Sequence, residues 1–293
     1  MRGATASLMP AIRRLVFVVN ESKAGAMELA HQLADTCARA GVASMMLTVF
    51  PLADGALVGC DACCVIGGDG TLLGVVHEAA RAQVPVIGVN RGSLGFLTTF
   101  ASTEFGSRFQ SILQGDFRVD HRALLECSTR SGGGLALNDV LIKHEAPSKI
   151  AHLAVHADGE LVTDYFCDGL ILSTPTGSTA YNLSAGGPII HPATPAIALT
   201  PICPHTLSNR TVIFPDAVRL RIENCSRDSC LRIAVDGHSN QIVCESGPVE
   251  IRLADVRLPL AVPVDYQHFN VVRTKLKWSG DIRERPERFQ VDA

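Results

Sequence analysis

In the first third of the chain, short apolar runs alternate with stretches in which apolar residues recur at helical spacing. Residues 14–20, 45–50, 63–66 and 85–90 have the pattern of buried strands, and residues 22–40, 71–81 and 103–114 have the pattern of helices. A chain that alternates strands with helices builds a parallel sheet with helices on its faces. The pattern therefore predicts an α/β domain at the N-terminal end.

The pattern changes near residue 117, beyond which helical spacing nearly vanishes. Residues 151–162 are typical of a hairpin that turns at Asp158-Gly159. Residues 219–223, 231–235 and 249–253 alternate or run apolar as strands do. The second part of the chain is therefore predicted to be mainly β.

The length of 293 residues suits two domains, each large enough to bury a core. We place the α/β domain at residues 1–116 and the mainly β domain at residues 117–268. An apolar stretch at residues 269–276 predicts that the tail, residues 269–293, returns to the first domain.

The charge balance narrows the classes of partner. Lys and Arg number 26 against 29 Asp and Glu, a formal net charge of −3, whereas a nucleic-acid binder needs an excess of basic residues. No apolar run approaches the roughly 18 residues that a membrane span requires. The sequence therefore predicts a soluble protein that binds neither nucleic acid nor membrane.

Ten cysteines are scattered along the chain without the spacing of a disulfide framework. We interpret them mainly as buried, reduced thiols of a cytoplasmic protein. Cys60 and Cys63 form a CxxC pair, which zinc or redox chemistry could also use. Because there is no second CxxC and a predicted strand begins at Cys63, packing is the favoured interpretation.

The motif Gly67-Gly68-Asp69-Gly70-Thr71 ends a predicted strand and opens a predicted helix. Glycines let phosphates approach the backbone, and the free N–H groups at a helix start attract anions. The motif lacks the Lys-Ser/Thr of a P-loop, and the last glycine of a dinucleotide fingerprint would fall at Leu73. Asp69 is either a general base or metal-facing group, or a helix cap, and the spacing alone favours neither.

Residues 168–188 run from a strand into a loop rich in hydroxyl groups, glycine and proline. The hydroxyl side chains are Ser173, Thr174, Thr176, Ser178 and Thr179, and they suit hydrogen bonding to a sugar or a base edge. Tyr181 adds a flat face for stacking. The alternative is an ordinary polar loop, which seldom combines this density of hydroxyls with Gly and Pro.

Asn138-Asp139 is a polar pair inside a predicted apolar strand, so either a turn or a ligand must supply its hydrogen-bond partners. His152 and His238 are further candidates. A lone histidine is more often a satisfied structural residue than a ligand, and no set of His, Cys and Asp has the spacing of a zinc site.

Taken in order, these motifs resemble the bacterial-type NAD kinase family. The glycine-aspartate motif, Asn138-Asp139 and residues 168–187 carry the resemblance. It is extended by residues 89–98, 204–208, 235–237 and 275–278, so that it covers the chain from about residue 15 to residue 280. The glycine-aspartate motif alone is shared with diacylglycerol-type lipid kinases.

The resemblance implies a Rossmann-like first domain, a mainly β second domain and an active site between them. It implies transfer of the γ-phosphate of ATP to the 2′-hydroxyl of the adenosine ribose of NAD, giving NADP, with polyphosphate as a second potential donor. Mg²⁺ or another divalent ion would be held mainly through the phosphates. A homodimer or homotetramer is also implied, in which a neighbouring subunit completes the site.

The resemblance further assigns roles to single residues. Asp69 would be the catalytic base, and Gly67, Gly68, Gly70 and Thr71 would form the phosphate loop. The residues expected to bind NAD are Asp69, Gly70, Asn138, Asp139, His152, Asp168, Thr176, Thr179, Ala180, Tyr181, Asn182, Leu183, Ser184 and His238.

Two positions depart from the family pattern. Phe166 stands where many relatives carry a basic residue, in a neighbourhood that the family links to the choice between NAD and NADH. His238 stands where many bacterial members have Gln or Asn. Two alternatives to an NAD kinase are a diacylglycerol-type lipid kinase and a non-catalytic NADP(H)-binding sensor.

Overall fold

The computed structural model describes residues 9–92, 95–146, 149–206, 208–226, 230–237, 239–243 and 247–278, with the backbone alone for residues 239–243. The first elements are β1 (Arg14–Val19), α1 (Ala26–Arg39), β2 (Ala43–Leu47), β3 (Ala62–Gly67), α2 (Asp69–Leu73), α3 (Val76–Ala82), β4 (Val86–Asn90), β5 (Phe100–Ala101), α4 (Ser102–Leu113) and β6 (Arg118–Arg122). They form the α/β part of the molecule.

The later elements are mostly strands. They are β7 (Leu125–Thr129), β8 (Gly132–Ala136), β9 (Asp139–His144), β10 (Ala151–Ala157), β11 (Glu160–Cys167), β12 (Gly169–Ser173), a 3₁₀ helix (Thr176–Thr179), α5 (Tyr181–Ser184), β13 (Ala196–Ile202), β14 (Val212–Pro215), β15 (Leu220–Asn224), β16 (Leu231–Val235), β17 (Ser239–Val243), β18 (Val249–Leu253), β19 (Leu258–Val262) and α6 (His268–Leu276).

The first sheet contains seven strands in the order β2-β1-β3-β4-β19-β6, with β5 beside β4. All neighbours are parallel except β19 and β6, which run antiparallel. Strand β1 is apolar on both faces because both faces are covered. Leu15 and Phe17 pack in one buried cluster with residues of α1 and α4, whereas Val16 and Val18 pack in the other with residues of α2 and α3.

Two antiparallel sheets make up most of the second half. Their strand orders are β11-β10-β15-β18-β7-β8 and β14-β13-β12-β9-β16-β17. One buried cluster takes Leu153 and Val155 from the first of these sheets and Leu170 and Leu172 from the other, so the two sheets pack face to face. The predicted fold class, an α/β part followed by a mainly β part, is confirmed.

Several predicted elements differ in their bounds. The helix predicted at residues 71–81 is two short helices, α2 and α3, separated at Gly74-Val75. The second strand ends at Leu47 rather than at residue 50, because its partner β1 ends at Val19. The hairpin is confirmed, with Asp158 and Gly159 both at positive φ (49° and 89°), as a two-residue hairpin turn requires.

Strands β6 and β19 belong to the first sheet, although both lie beyond the boundary predicted at residue 116. The chain therefore enters the second half after β6 and returns through β19. In the predicted tail, α6 occupies His268–Leu276 and buries Val271 and Val272, while residues 279–293 lie outside the described part. The division into domains stays a prediction.

Candidate active site at the ends of the parallel strands

Polar residues gather where β1, β3 and β4 end at the same edge of the first sheet. Asn20 follows β1, Gly67–Asp69 ends β3 and begins α2, and Asn90 ends β4. Strand β2 lies on one side of β1, and β3 lies on the other side. The order in which the chain adds strands to the sheet therefore reverses between β1 and β3. Ligands of open α/β sheets bind at such a switch point, outside the carboxyl ends of the strands.

The Asp69 carboxylate anchors the turn that follows β4. The N–H of Phe96 donates to Oδ2 (2.9 Å), and the N–H groups of Leu97 (3.2 Å) and Thr98 (2.9 Å) donate to Oδ1. The Thr98 hydroxyl donates a further bond to Oδ1 (2.9 Å). Asp69 is thus not the helix cap, because the capping position of α2 is Gly68 and has no side-chain cap bond. Oδ2 accepts one bond from the described residues and has capacity for another donor.

The glycines around Asp69 divide into two kinds. At Gly67 a Cβ would lie 2.6 Å from the Thr71 hydroxyl, and at Gly95 it would collide with the Asp69 carboxylate and the Thr98 hydroxyl. At Gly68 and Gly70, by contrast, a built Cβ has no described atom within 4 Å apart from those of the chain neighbours and, at Gly70, of the backbone of its own helix. Packing therefore requires the first pair, and the second pair leaves open space beside Asp69 into which a ligand can approach the backbone.

Asn20, Asn90 and Thr98 support this turn, and the sequence analysis had given none of the three a role of its own. The Asn20 amide donates to the Thr71 hydroxyl (2.9 Å), and the Asn90 amide donates to the Thr98 hydroxyl (2.9 Å). Asn90 is buried, and its Oδ1 has no partner among the described residues. The available signal was a polar residue at the end of an otherwise apolar strand, which a buried sheet tolerates only when the residue has a partner.

A second polar centre forms where β9 begins. The Asp236 carboxylate accepts the N–H groups of Leu137 (2.7 Å), Asn138 (2.8 Å) and Asp139 (3.1 Å). Asn138 therefore lies in a turn between β8 and β9, and the prediction that the pair is inside one strand is wrong. Asp236, at positive φ (48°), was noted in the sequence only as part of a motif, and it builds this turn.

Asp139 is buried, and burial followed by repulsion from Asp236 raises the pKa of its carboxyl from 3.8 to about 7. The backbone N–H of Tyr181 donates to Asp139 and opposes this rise. Near neutral pH the group is therefore divided between its acid and its carboxylate forms. Such a carboxyl can both donate to and accept from a hydroxyl of a ligand.

The hydroxyl-rich segment uses most of its buried polar groups internally. The Thr174 hydroxyl donates to Leu137 O (2.5 Å) and accepts from Gly177 N–H (2.9 Å). The Ser178 hydroxyl bonds to Pro175 O (2.6 Å) and accepts from Ile190 N–H (2.9 Å). The interpretation of these two hydroxyls as ligand-binding groups is wrong, because both are fully buried and already paired.

Other members of the segment behave in the same way. The Ser173 hydroxyl donates to Thr174 O (2.9 Å), and the Asn182 amide donates to Ser178 O (3.1 Å) and Pro188 O (3.0 Å) while its oxygen accepts from Thr200 (2.6 Å). A Cβ at Gly177 would collide with the Asn138 backbone, so this segment packs directly on the Asn138 turn. The segment is a rigid support for the polar centre at Asp139.

The outward-facing members of the segment remain available to a ligand. Tyr181 is 44% exposed, Ser184 is exposed, and Thr179, Ala180 and Leu183 are half-buried, while Thr176 is buried. The Tyr181 backbone N–H donates to Asp139, which places this residue beside the Asn138 turn. Leu137 packs in the same buried cluster as Leu72 and Leu97, which joins this centre to the turn around Asp69.

Two other predicted site residues, Asp168 and His152, lie beyond the end of β12 that is opposite to Asp139. Ser173 pairs with Asp139 at one end of β12, whereas Gly169 pairs with Lys143 at the other. Asp168 is thus about 14 Å or more from Asp139 along the strand direction. His152 is also on this side, stacked on Phe166 at 4.0 Å between ring centroids. His238 lies outside the described residues.

The cysteines mostly follow the packing interpretation. Cys63 is fully buried in the first sheet, and burial raises the pKa of its thiol far above the ordinary value. Cys60 is half-buried, and desolvation together with Asp61 raises the pKa of its thiol. Cys230 is disulfide-bonded, so the expectation of reduced thiols is wrong at that position.

Within the described residues, no helix combines the length and the apolar character that crossing a membrane requires.

The parallel sheet, the glycine turn with a fixed carboxylate and the polar centre of the adjoining β sheet define a class of protein. It is an enzyme of the phosphotransferase class, with an α/β part followed by a mainly β part. The family described as ATP-NAD kinase N-terminal domain matches residues 52–117, and the ATP-NAD kinase C-terminal domain matches residues 137–261. The chain belongs to the ATP-NAD kinase family.

Similar proteins agree with this assignment. The chain is 44% identical over 233 residues to an NAD kinase of Tolumonas auensis, covering 76% of this chain and 78% of the relative. It is 42% identical over 228 residues to an NAD kinase of Azotobacter vinelandii, covering 75% and 77%. These matches span both parts of the chain and do not favour a lipid kinase, for which the glycine-aspartate motif was the evidence.

Two solved structures share the fold at 23% sequence identity. Yeast NADH kinase, in complex with NADH, superposes with a TM-score of 0.82 and covers 94% of this chain and 90% of its own. An NAD kinase from Archaeoglobus fulgidus, in complex with ATP, has a TM-score of 0.75 and covers 91% and 100%. Both likenesses extend over the α/β part and the β part together.

Proposed function

We propose that this chain transfers the γ-phosphate of ATP to the 2′-hydroxyl of the adenosine ribose of NAD and so makes NADP. The observation that carries the proposal is the open space at Gly68 and Gly70, beside a carboxylate that is held by four hydrogen bonds. Phosphoryl transfer depends mostly on positioning and electrostatics, and this turn offers both.

Asp69 is the proposed general base. Its bonds to the turn at residues 96–98 fix the direction of the carboxylate, and Oδ2 is the oxygen with fewer bonds from the described residues. Oδ2 would accept the proton of the 2′-hydroxyl as the ribose oxygen attacks the γ-phosphorus and ADP departs. The backbone at Gly68 and Gly70 would border the phosphates, since a side chain at either position would occupy their space.

Mg²⁺, when bound, would neutralise the phosphates of ATP. Among the described residues, the one group of three His, Cys or acidic side chains close enough to share an ion does not include Asp69. We therefore propose that the ion comes to the site on the phosphates.

The NAD side of the site is proposed to include the turn at Asn138 and the segment that packs on it. Asn138 and Asp139 would hold ribose hydroxyls, and the exposed Tyr181 ring would stack on a base. Thr176, Thr179, Ala180, Leu183 and Ser184 would line the same cleft, with Asn182 as their buried support. This arrangement is supported by Leu137, which belongs to the same buried cluster as Leu72 and Leu97 of the Asp69 region.

The direct test uses the full chain with ATP, Mg²⁺ and NAD, and detects NADP with an NADP-specific dehydrogenase. We expect NADP from the wild type and almost none from Asp69→Asn. Tight dinucleotide binding without transfer from any donor would instead favour the sensor, and labelling of extracted lipid but not of NAD would favour a lipid kinase. Either result contradicts the proposal.

The preferred donor and the redox form of the substrate are tested in the same assay. Phe166 is 47% exposed and stacks on His152, so this neighbourhood presents an aromatic face instead of a cation. NAD and NADH should each be tried with ATP and with inorganic polyphosphate. A Phe166→Arg variant is the matched comparison, and an unchanged NAD:NADH ratio of kcat/KM in it would separate Phe166 from the choice of redox form.

We also propose that the enzyme is a cytoplasmic homo-oligomer whose site is shared between subunits. Asp168 precedes the end of β12 that is opposite to Asp139, and His152 of the other sheet pairs with Phe166 next to it, which is too far for one ligand group to contact both Asp139 and Asp168 within one chain. A second copy could bring its Asp168 end to the first copy's Asp139 end.

Mixed oligomers test the sharing of the site. Asp69→Asn and Asp168→Asn chains, carrying different affinity tags, would be co-expressed and purified through both tags. If the two residues serve one site from different chains, one site in the mixed oligomer keeps both wild-type residues and activity returns. If they serve from the same chain, every site carries one substitution and the mixture stays as inactive as its parents.

A further inference from the structure

Three potential metal ligands meet on the outer face of the sheet that contains β10, away from Asp69. They are His152 in β10, Asp164 in β11 and Cys225 directly after β15. Their ligand atoms all lie within 4.8 Å of one another. Because the three are separated by 12 and 61 residues in the chain, sequence spacing could not reveal them, and only the sheet register brings them together.

The register explains why the three side chains share one face. His152 is opposite Phe166, and Asp164 is opposite Ala154, two residues further along β10, so all of these point the same way. On the other side of β10, the N–H of Cys225 donates to His152 O (2.9 Å). Leu153, the neighbour of His152, is fully buried in the core, so His152 faces outward.

The distances fit an ion better than a direct contact. His152 Nε2 and Asp164 Oδ2 are 3.9 Å apart, which is too long for a hydrogen bond. Two ligands of a tetrahedral zinc ion, bound at 2.0–2.3 Å, are separated by about 3.3–3.6 Å. His152 Nε2 is buried and has no hydrogen-bond partner among the described residues. A shift of about 1 Å in the side chains would let all three atoms reach one ion.

The imidazole is already oriented for this purpose. Its ring lies on Phe166 with centroids 4.0 Å apart and planes inclined by 17°. Cys225 is a free, exposed thiol, and Asp164 is exposed, so neither has to leave a packed site to bind. His152 and Asp164 lie on paired strands, and Cys225 is held beside β10 by the bond of its N–H to His152 O, so their spacing is more rigid than that of ligands on loops.

We propose that His152, Asp164 and Cys225 form a binding site for a borderline transition-metal ion of the zinc class. A set of one imidazole, one carboxylate and one thiolate suits Zn²⁺ or Co²⁺ and not Mg²⁺, which prefers oxygen. Binding would release the Cys225 thiol proton to solvent and leave the fourth position to water. The inference does not depend on the proposed kinase reaction.

Co²⁺ is the probe, added to the full-length protein without nucleotide, phosphate or thiol reductant. We expect one Co²⁺ per chain, tetrahedral absorption in the visible and a thiolate-to-cobalt charge-transfer band in the near-ultraviolet. Zn²⁺ added in equal amount should displace Co²⁺ and abolish both signals. An octahedral spectrum without a charge-transfer band would overturn the proposal.

Two variants assign the ligands. Cys225→Ser is nearly isosteric and exposed, and it should lose the charge-transfer band, whereas Asp164→Asn should keep the band with at least about tenfold weaker affinity. The matched control is Cys203→Ser, which removes the other exposed free cysteine among the described residues and should bind Co²⁺ as the wild type does. A band that survives in Cys225→Ser, or is lost in Cys203→Ser, would contradict the site.

Discussion

The glycine turn at residues 67–71 and the segment at residues 173–184 are both rich in small and polar residues, and they differ in where their polar atoms point. In the first, Gly68 and Gly70 face open space and Asp69 has capacity at Oδ2. In the second, the hydroxyls of Thr174 and Ser178 are buried and bonded to the chain itself.

The difference teaches that polar density alone does not identify a ligand site. A buried hydroxyl must be paired in the folded state, so it is used up by the loop that it builds. A glycine that nothing in the fold requires, next to a fixed carboxylate, is the stronger indication of a ligand. By this criterion we propose that the first region performs the chemistry and that the second region mainly holds Asn138, Asp139 and Tyr181 in place.

The largest expected effect comes from Asp69→Asn. The amide retains an acceptor for the Thr98 donors but turns an N–H group toward the N–H of Phe96, and it is a very poor proton acceptor. We expect kcat for NADP formation to fall by about 10²–10⁴-fold while NAD binding, measured by calorimetry, changes little. A kcat close to that of the wild type would remove Asp69 from the role of base.

The glycines sharpen the comparison within the first region. Gly95→Ala places a methyl group against the Asp69 carboxylate, so we expect loss of about 1–3 kcal/mol of unfolding free energy and at least about a 10²-fold lower kcat. Gly68→Ala has open space and ordinary extended backbone (φ −118°), so its stability should stay within about 0.5 kcal/mol while KM for ATP rises.

The control for both is Gly106→Ala in α4, an exposed position with no described atom within 4 Å of the added methyl group. It should change neither KM nor kcat. Chemical unfolding and steady-state kinetics would be measured for the wild type and for the three glycine variants. Gly68→Ala with an unaltered KM for ATP would show that phosphates do not approach that backbone.

The two carboxylates differ in their surroundings, and the raised pKa of Asp139 predicts a pH-dependent contribution to stability. Asp69 meets four donors, whereas Asp139 is buried near Asp236 and has a folded-state pKa of about 7 against an ordinary value of 3.8. The contribution of Asp139 to the free energy of unfolding is complete below pH 3.8 and is lost as the pH rises toward 7. Between these values the folded state holds a proton that the unfolded state releases.

Urea unfolding at several pH values tests this pH dependence of stability. The wild-type free energy of unfolding, relative to that of Asp139→Asn, should fall between pH 4 and pH 7 with a slope approaching about 1.4 kcal/mol per pH unit, and level off above pH 7. Asn keeps the oxygen that accepts the Tyr181 N–H, so the variant removes the charge and retains the bond. Parallel curves for the two proteins would place the pKa of Asp139 near its ordinary value.

The sequence predicted the fold well where one physical signal dominated. The apolar runs of the parallel strands and the Asp158-Gly159 hairpin were found because both faces of a buried sheet are apolar and a two-residue turn needs positive φ. The helix at residues 71–81 was predicted as one because helical spacing does not register the break at Gly74, where a Cβ would lie 3.0 Å from Phe50.

The candidate site was predicted less completely, for a reason that particular residues illustrate. The motif identified Asp69, but the roles of Thr98 and Asn90 depend on contacts across the sheet edge. The buried hydroxyls were misinterpreted because a sequence does not distinguish a hydroxyl that faces a cleft from one that bonds to Ile190 twelve residues away. His152, Asp164 and Cys225 were missed as a group, since their proximity depends on the register of three strands.

The smallest expected effects separate the two roles within the second region itself. Ser178→Ala leaves Ile190 N–H without its partner in a buried position, so it should cost about 1–3 kcal/mol of unfolding free energy with little change in KM for NAD.

Tyr181→Ala removes an exposed ring, so stability should stay within about 0.5 kcal/mol while KM for NAD rises roughly threefold to tenfold. Tyr181→Phe keeps the stacking face and should behave as the wild type in both measurements. If Ser178→Ala instead raised KM and Tyr181→Ala instead destabilised the fold, the division between buried support and exposed contact would be reversed, and the loop would bind its ligand through the hydroxyls that now pair with its own backbone.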